Sequence, residues 1–324
     1  MNNILIAEQW QRLLAADQIL GGSAQQVLGG SEYANEWGQR YEERAEELIS
    51  SGDIHLIYDC DAYQQRLNSR LVSVSDDVIL KQQLRYFRQR EMVRIIWRDL
   101  AGWADLSETT RDLSAMADTC IQQALAILHQ WQSDELGVPR NAEGREQELL
   151  VLGMGKLGAG ELNLSSDVDL IFSFPENGYT QGGHKKLSNE EFFTRLGHKL
   201  IEALDTVTAD GFVFRVDMRL RPFGDSGAIA SCFDSMEDYY QTQGREWERY
   251  AMIKARAITG NEGSKKKIMN LLRPFVFRRY LDFGIFDSLR EMKAMISGQL
   301  RRKGMKGNIK LGEGGIREIE FIGQ

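Results

Sequence analysis

Cysteine and proline are both scarce in this 324-residue sequence, which holds three of the first and four of the second. Cys60, Cys120 and Cys232 stand far apart and form no Cys-x-x-Cys pair, which excludes a disulfide framework and argues against a zinc site. They read as buried thiols of a reducing compartment. Few prolines, with many Leu, Ala, Glu, Gln and Arg residues, leave long stretches able to form helix. No run reaches the ~20 apolar residues of a membrane span. Met1-Asn2-Asn3-Ile4-Leu5-Ile6 lacks the cationic start and sustained apolar stretch of a signal peptide. These absences predict a cytoplasmic protein without a membrane partner. Near the other end, a helical pattern begins after Gly314-Gly315 and stops at Gln324, so the sequence reads as a piece of a longer protein.

Hydrophobic residues make up 42% of the chain, enough for a substantial core. Its length predicts about two domains of roughly 150 residues each. The net charge of −7 is unevenly spread. Residues 1–148 carry 14 Lys and Arg against 24 Asp and Glu, while the remainder carries 26 against 23. An acidic first part argues against nucleic acid as its ligand, because phosphate backbones need a basic footprint. The mildly basic second part is where a phosphate-bearing substrate is expected.

Up to residue 135 the apolar spacing is helical, with predicted helices over Glu36–Ile49, Leu80–Leu100 and Leu113–Trp131. Ser51-Gly52 supplies a stop for the first. Arginines interrupt the second, and the charged faces of this bundle are expected to be solvated. The period then changes. Leu149-Leu150-Val151-Leu152 is a buried-strand signal, and Val168–Phe174 alternates with Asp167, Asp169 and Ile171 on one face. Phe212–Leu220 alternates again, with Arg215, Asp217, Arg219 and Arg221 together. Between these strands, Ser188-Asn189-Glu190-Glu191 is a capping box for an amphipathic helix through Leu204. Helices are predicted again over Ser235–Thr259, Lys265–Tyr280 and Ile285–Lys303, followed by a glycine-rich loop. The order of strand, glycine loop, strand, helix and strand predicts an α/β or α+β catalytic core (149–234) between a helical N-terminal region (1–148) and a helical C-terminal region (235–324), truncated.

The chemistry concentrates between the strands. Residues two apart on a strand point the same way, so Asp167 and Asp169 place two carboxylates together, about 7 Å apart at their Cα atoms. Like charges so placed repel unless a cation lies between them. Mg²⁺, a hard ion taking oxygen ligands and substrate phosphates, answers that need. If the later strand is a neighbour, Asp217 joins them and three carboxylates can hold two metal ions for displacement at phosphorus. The glycines of Gly153-Met154-Gly155-Lys156-Leu157-Gly158 would let backbone N–H groups approach phosphate, with Lys156 adding a point charge. Leu157 follows the lysine, so this is no Walker loop. Arg219 and Arg221 could contact further phosphate oxygens.

These residues carry a resemblance. Gly153–Gly158, then Glu161-Leu162-Asn163, then Ser165-Ser166-Asp167-Val168-Asp169-Leu170 resembles the signature of the glutamine synthetase adenylyltransferase family. Arg215-Val216-Asp217-Met218-Arg219-Leu220-Arg221-Pro222-Phe223-Gly224 is similar to its second motif. Arg245-Glu246-Trp247-Glu248-Arg249-Tyr250 and Gly314-Gly315-Ile316-Arg317-Glu318-Ile319-Glu320-Phe321 resemble two more, and the likeness runs from about Leu84 onward. The family's long chain carries two nucleotidyltransferase domains, one removing AMP from a tyrosine of glutamine synthetase and one adding it. The resemblance points to the N-terminal, adenylyl-removing domain with a polymerase-beta-like core. It implies a phosphorolysis in which phosphate attacks the adenylyl phosphorus and releases ADP and free tyrosine. By this likeness Asp167, Asp169 and Asp217 are the catalytic carboxylates and hold two Mg²⁺ or Mn²⁺ ions. Gly153, Gly155, Lys156, Ser165, Ser166, Arg219 and Arg221 are the candidates for phosphate and nucleotide. The implied partners are adenylylated glutamine synthetase and a PII-type signalling protein in its uridylylated form. Where the wider superfamily carries Gly-Ser or Gly-Gly, this chain has Gly153-Met154 or Gly155-Lys156, without a hydroxyl.

Rival functions are ATP-dependent adenylylation by the same type of site, a catalytically silent regulatory module and, more distantly, a metal-dependent sugar transferase that leaves Asp217 unexplained. His184 and His198 read as surface residues. Arg245, Glu246, Glu248 and Arg249 suit a helical salt-bridge set and a substrate contact equally. Arg273, Arg278 and Arg279 read as a solvated face, and Arg317, at a helix start, is a weaker phosphate candidate.

Overall fold

The computed structural model describes residues 8–15, 17–59 and 61–277, and beyond these only residues 290, 294, 315 and 319. Cys60, Arg278, Arg279, Arg317, Glu318, Glu320 and the rest of the helix and glycine loop expected over 285–314 lie outside the described residues. Cys120 and Cys232 are buried free thiols, as expected.

The first half is helical: α1 (Glu8–Leu14), α2 (Gln18–Gly30), α3 (Glu32–Arg40), α4 (Glu42–Ser50), α5 (Ala62–Leu71), α6 (Asp77–Leu100) and α7 (Leu106–Leu136). The charged helix expected over Glu36–Ile49 is two helices that meet at Tyr41, and Gly52 follows the second at φ 72°. Asp76 and Asp105 open α6 and α7 by accepting the N–H groups of Ile79 and Glu108. Both helices are longer than the apolar spacing predicts.

The second half holds a small hairpin of β1 (Val138–Asn141) with β4 (Gly178–Gln181), and a mixed sheet. In the sheet, β2 (Leu150–Gly153) lies antiparallel between β3 (Val168–Phe174) and β7 (Arg256–Ala257). The far edge of β3 pairs in parallel with two segments in turn, β5 (Val216–Asp217) and β6 (Ala230–Cys232). A one-turn helix α8 (Gly155–Gly158) follows β2, and α9 (Asn189–Asp205) starts at the expected capping box, with both bonds between Ser188 and Glu191 formed. Helices α10 (Phe233–Thr242), α11 (Glu246–Met252) and α12 (Glu262–Val276) complete the described chain. The architecture is α+β, and no helix among the described residues is long and apolar enough to cross a membrane.

Strand alternation buries both faces of the sheet. Val151, Val168, Leu170, Phe172 and Phe174 share one core with the N-terminal helices and α9. Leu150, Leu152 and Ile171 face the other way, into a cluster with Phe233, Tyr240 and Phe275. The first core runs from Trp10 to Ile258, so apolar packing is continuous across residue 148.

Two expected elements are shorter than predicted. The strand over Phe212–Leu220 is reduced to Val216–Asp217. Before it, the N–H groups of Val213 and Phe214 both bond to Leu204 O at the end of α9. After it, the Asp217 carboxylate accepts the Arg219 N–H at 2.9 Å, an Asp-centred turn that ends the strand. The helix over Ser235–Thr259 is broken into α10, α11 and β7. Gly244 ends the first piece, and a Cβ there would lie 2.5 Å from the Phe275 ring.

A third expectation is overturned more fully. Arg85, Arg90, Arg94 and Arg98 of α6 are buried, as is Glu91. They bond inward because the turn at Asp53–Leu56 and the end of α9 offer carbonyls and carboxylates there. Arg94 donates to Asp53 O at 3.0 Å, Tyr63 Oη at 3.2 Å and Asp112 Oδ2 at 3.0 Å, and also to Leu56 O. Arg90 bridges Glu47, Glu91 and Asp53. Burial pushes the Asp53 carboxyl up, but the bonds and charges of Arg66 and Arg90 outweigh it and hold it well below the usual carboxylate range.

Breaking a buried pair leaves a charge stranded, typically at about 3–5 kcal/mol. Arg94→Ala should therefore lower unfolding stability by about that amount in urea titration. Asp53, with its lowered folded pKa, stabilises the fold above its unfolded pKa of about 3.9, and that contribution is lost as pH falls through the folded value. Asp53→Asn should accordingly lose stability at pH 7 and show a flatter dependence between about pH 5 and 2.

Candidate active site

The parallel pairing of β3 with β5 sets Asp169 directly opposite Asp217, with Val168 opposite Val216. The Val168 N–H donates to Arg215 O at 2.9 Å and fixes this register. Register partners in a parallel pair project to the same face of the sheet. Asp217, expected to join the carboxylate pair only if the strands were neighbours, is therefore the lateral neighbour of Asp169. Asp167 lies two residues upstream, exposed, just before β3.

The glycine motif wraps this position. Met154 N–H donates to Asp169 O at 2.9 Å. Gly155 has φ 53°, and a Cβ on it would stand 3.4 Å from Asp169 Oδ2. A Cβ on Gly158 would lie 1.8 Å from Lys254 O, so α8 packs directly against the backbone entering β7. Gly153 is closed in by Ile258. The glycines serve close packing beside Asp169, and Lys156 stands half-buried on the same turn.

Arginines answer the carboxylates. Arg215 Nε donates to Asp167 Oδ1 at 2.5 Å, and Arg215 Nη2 donates to Ser165 O at 3.1 Å. Arg219 Nε donates to Asp217 Oδ2 at 2.9 Å, with its Nη2 on the same oxygen. Side-chain bonds from Arg219 hold the Asp217 carboxyl below its ordinary pKa, and Asp217 raises that of Arg219. Ser165 is exposed, and Ser166 Oγ donates to Asn163 Oδ1. Arg221 is different: buried, its fork donates to Met218 O at 2.8 Å, Gly227 O at 3.2 Å and Asp225 O at 3.1 Å, so it braces its own loop.

The donor set suits a hard divalent cation, since it offers only carboxylates at neighbouring backbone positions, beside a glycine whose missing side chain leaves Asp169 accessible. As they stand, the Asp167 and Asp217 side chains are turned to different arginines. Among the described residues no three His, Cys, Asp or Glu side chains form a ready ligand group. The strands place Asp169 and Asp217 together, but the side-chain convergence of all three acids is absent from this arrangement.

Sequence reasoning missed the residues that hold the loop. Arg256 of β7 forks onto Asp118 of α7 at 2.8 and 3.1 Å, and also donates to Leu157 O at 2.9 Å and Gly158 O at 3.1 Å. Burial raises the pKa of Asp118 against the pull of Arg256. Nothing local distinguishes an aspartate on a long helix or an arginine in a two-residue strand. Lys254 adds an ion pair to Glu161 at 3.1 Å. The even choice over residues 245–249 falls toward structure for Glu248. It is buried, accepts the Tyr239 hydroxyl at 2.7 Å and the Arg245 N–H at 2.8 Å, while Arg249 pairs with Glu246. His184, His198 and Arg273 are exposed.

The family model described as glutamate-ammonia ligase adenylyltransferase matches residues 22–270, and one described as GlnD PII-uridylyltransferase matches residues 290–324. The chain is 56% identical over 299 residues to the bifunctional glutamine synthetase adenylyltransferase/adenylyl-removing enzyme of Nitrosococcus oceani, covering 92% of this chain and 31% of the relative. It is 52% identical over 299 residues to the protein of the same name from Pseudomonas aeruginosa, covering 92% and 30%. With the one from Hahella chejuensis it shares 59% identity over 241 residues, 74% of this chain and 25% of the relative. The chain thus spans about a third of the length of the curated relatives it matches.

Gly158→Ala should force α8 off β7 and destabilise the fold by about 1–3 kcal/mol, the cost of overpacking. Arg256→Lys keeps the charge but loses the fork. It should cost about 1–2 kcal/mol, discounted for partial exposure, and increase hydrogen exchange at residues 155–160. Unchanged exchange there would show that the clamp does not hold the loop.

Proposed function

Because the chain belongs to the glutamate-ammonia ligase (glutamine synthetase) adenylyltransferase family, we propose that it is the adenylyl-removing part of such an enzyme, with a polymerase-beta-like nucleotidyltransferase core. Its substrate is glutamine synthetase carrying AMP on a tyrosine, and its reaction is phosphorolysis. The observation that supports this reading most directly is the register of Asp169 with Asp217 beside the glycine turn.

A phosphate oxygen forms a bond to the adenylyl phosphorus, and the bond from phosphorus to the tyrosyl oxygen breaks. The products are ADP and a phenolate, which takes a proton from solvent. Phosphate is already ionised at neutral pH, so its attack needs no general base. The leaving phenol has an ordinary pKa of about 10, which makes it a competent leaving group. The reading accordingly needs neither His nor Cys.

Two Mg²⁺ or Mn²⁺ ions held by Asp167, Asp169 and Asp217 would supply charge neutralisation at the reacting phosphoryl group. Arg215 and Arg219 now neutralise two of these carboxylates. Arg219 is exposed enough to turn toward phosphate oxygens when the carboxylate has another cation. Lys156 and the N–H groups at the start of α8 are the candidates for phosphate contact, since the Met154 N–H is already bonded to Asp169 O. Arg221 acts through the loop that carries Arg219. Control by a uridylylated PII-type protein belongs to the same proposal.

The test is incubation with adenylylated glutamine synthetase, phosphate and Mg²⁺. Wild type should release ADP, and Asp169→Asn should lose on the order of 100-fold or more in kcat. Equal ADP release by both would remove the catalytic assignment. A requirement for ATP with pyrophosphate release would instead favour the forward reaction. Absence of either activity, with no Mn²⁺ bound at Asp167, Asp169 and Asp217, would leave a binding module.

A further inference from the structure

We infer that Phe223 is a stacking platform for a planar ring of the substrate at this site, an assignment that rests on the adenylyl-transfer reading above. Among the described residues Phe223 is the non-glycine residue with positive φ, at 62° with ψ 9°. A bulky L-residue is strained in this left-handed region, and such strain persists only where the surroundings over-determine it. The ring gains only partial burial in exchange, since Phe223 is 55% exposed.

The loop is built to hold the residue in place. The three bonds of the buried Arg221 fork tie Met218, Asp225 and Gly227 together across it. Gly224 N–H closes the turn onto Arg221 O at 2.8 Å. A Cβ on Gly227 would lie 1.9 Å from Pro222 O, so the two ends of the turn touch. Beneath, the Tyr239 ring meets Phe223 edge-on, with centroids 4.5 Å apart at 60°. Tyr239 is itself fixed by its hydroxyl bond to the buried Glu248 at 2.7 Å. Phe223 is thus braced on one side and open to solvent on the other.

The loop also returns to the acidic residues. Arg219, whose N–H and guanidinium both bond to Asp217, presents its carbonyl 3.6 Å from where a Gly224 Cβ would stand. An immobilised, half-exposed aromatic ring on the loop that carries a carboxylate and its arginine suits a ligand that joins a phosphate to a flat ring. The adenylylated tyrosine has two such rings, adenine and phenol, on either side of its phosphorus. Either gains from stacking on a ring that is already immobilised, because less freedom is lost on binding.

The experiment is ADP binding to the full chain by calorimetry with Mg²⁺, together with the KM for adenylylated glutamine synthetase. The variants are Phe223→Gly, Phe223→Leu and Phe223→Trp. Glycine accepts this φ without strain but loses the Tyr239 contact and gains unfolded-state freedom. Melting is therefore followed for every variant, and Phe223→Leu and Phe223→Trp, which keep an apolar side chain at the same φ, separate ring loss from misfolding. If the platform takes adenine, Phe223→Gly and Phe223→Leu should weaken ADP roughly tenfold, within the range of a lost base-stacking contact, while Phe223→Trp stays close to wild type. If it takes the phenol, ADP affinity stays unchanged and the KM for the adenylylated protein rises by a similar factor in the Gly and Leu variants only. Wild-type ADP affinity and KM in Phe223→Leu would overturn the platform. If wild type forms no ADP from the adenylylated protein while ADP binding still weakens in Phe223→Leu, the phosphorolysis reading alone is sunk; if ADP binding is unchanged as well, the platform falls with it.

Discussion

A two-residue ladder between β3 and β5 is the constraint on which the site depends. Each segment alone is an acid in an alternating stretch. Paired in parallel, they set Asp169 beside Asp217 on one face, where two negative charges demand compensation. Arg219 meets part of that demand with a fork onto Asp217, and Arg215 places a single Nε–H bond on Asp167. A patch that balances acids against exposed arginines can exchange one cation for another at modest cost, as exposed ion pairs are individually weak. That property suits a centre that must receive charged ligands and release them.

The ladder is short, so its ends must be held from outside. Buried Arg85 of α6 donates to Ala203 O at 3.2 Å, Gly211 O at 2.8 Å and Thr206 O, gathering the last carbonyls of α9 and the turn that leads into β5. A cation there also complements the negative end of the α9 dipole. On the other flank, Arg256 and Asp118 fasten the glycine turn to α7. The two longest helices among the described residues, which look like scaffold in isolation, therefore grip both segments that flank Asp169.

Burying so much charge in the helical half is not an obvious route to stability, since desolvation can exceed the attraction it enables. The geometry explains how it is tolerated. Arg94 and Arg98 bond to backbone carbonyls at Asp53 and Ile54 as well as to carboxylates, so groups that a turn would leave unsatisfied gain donors. The Arg94 guanidinium also lies over the Tyr58 ring at 3.3 Å. The arrangement fixes where the turn after α4 sits against α6.

Much of the local structure was legible from sequence: the Ser188–Glu191 capping box, the alternation of Val168–Phe174, the Asp-x-Asp pair and the glycine turn before it. Each is fixed by backbone geometry over a few residues, so period and capping chemistry reveal it. Tertiary structure alone decided that Arg215 reaches Asp167 across 48 residues, that Arg221 braces a loop while Arg219 holds an acid, and that the α6 arginines point inward. An arginine has the same local signature whether water, a carboxylate or a carbonyl receives it. Which of these it meets depends on elements distant in the chain, and only their packing brings them within hydrogen-bonding reach.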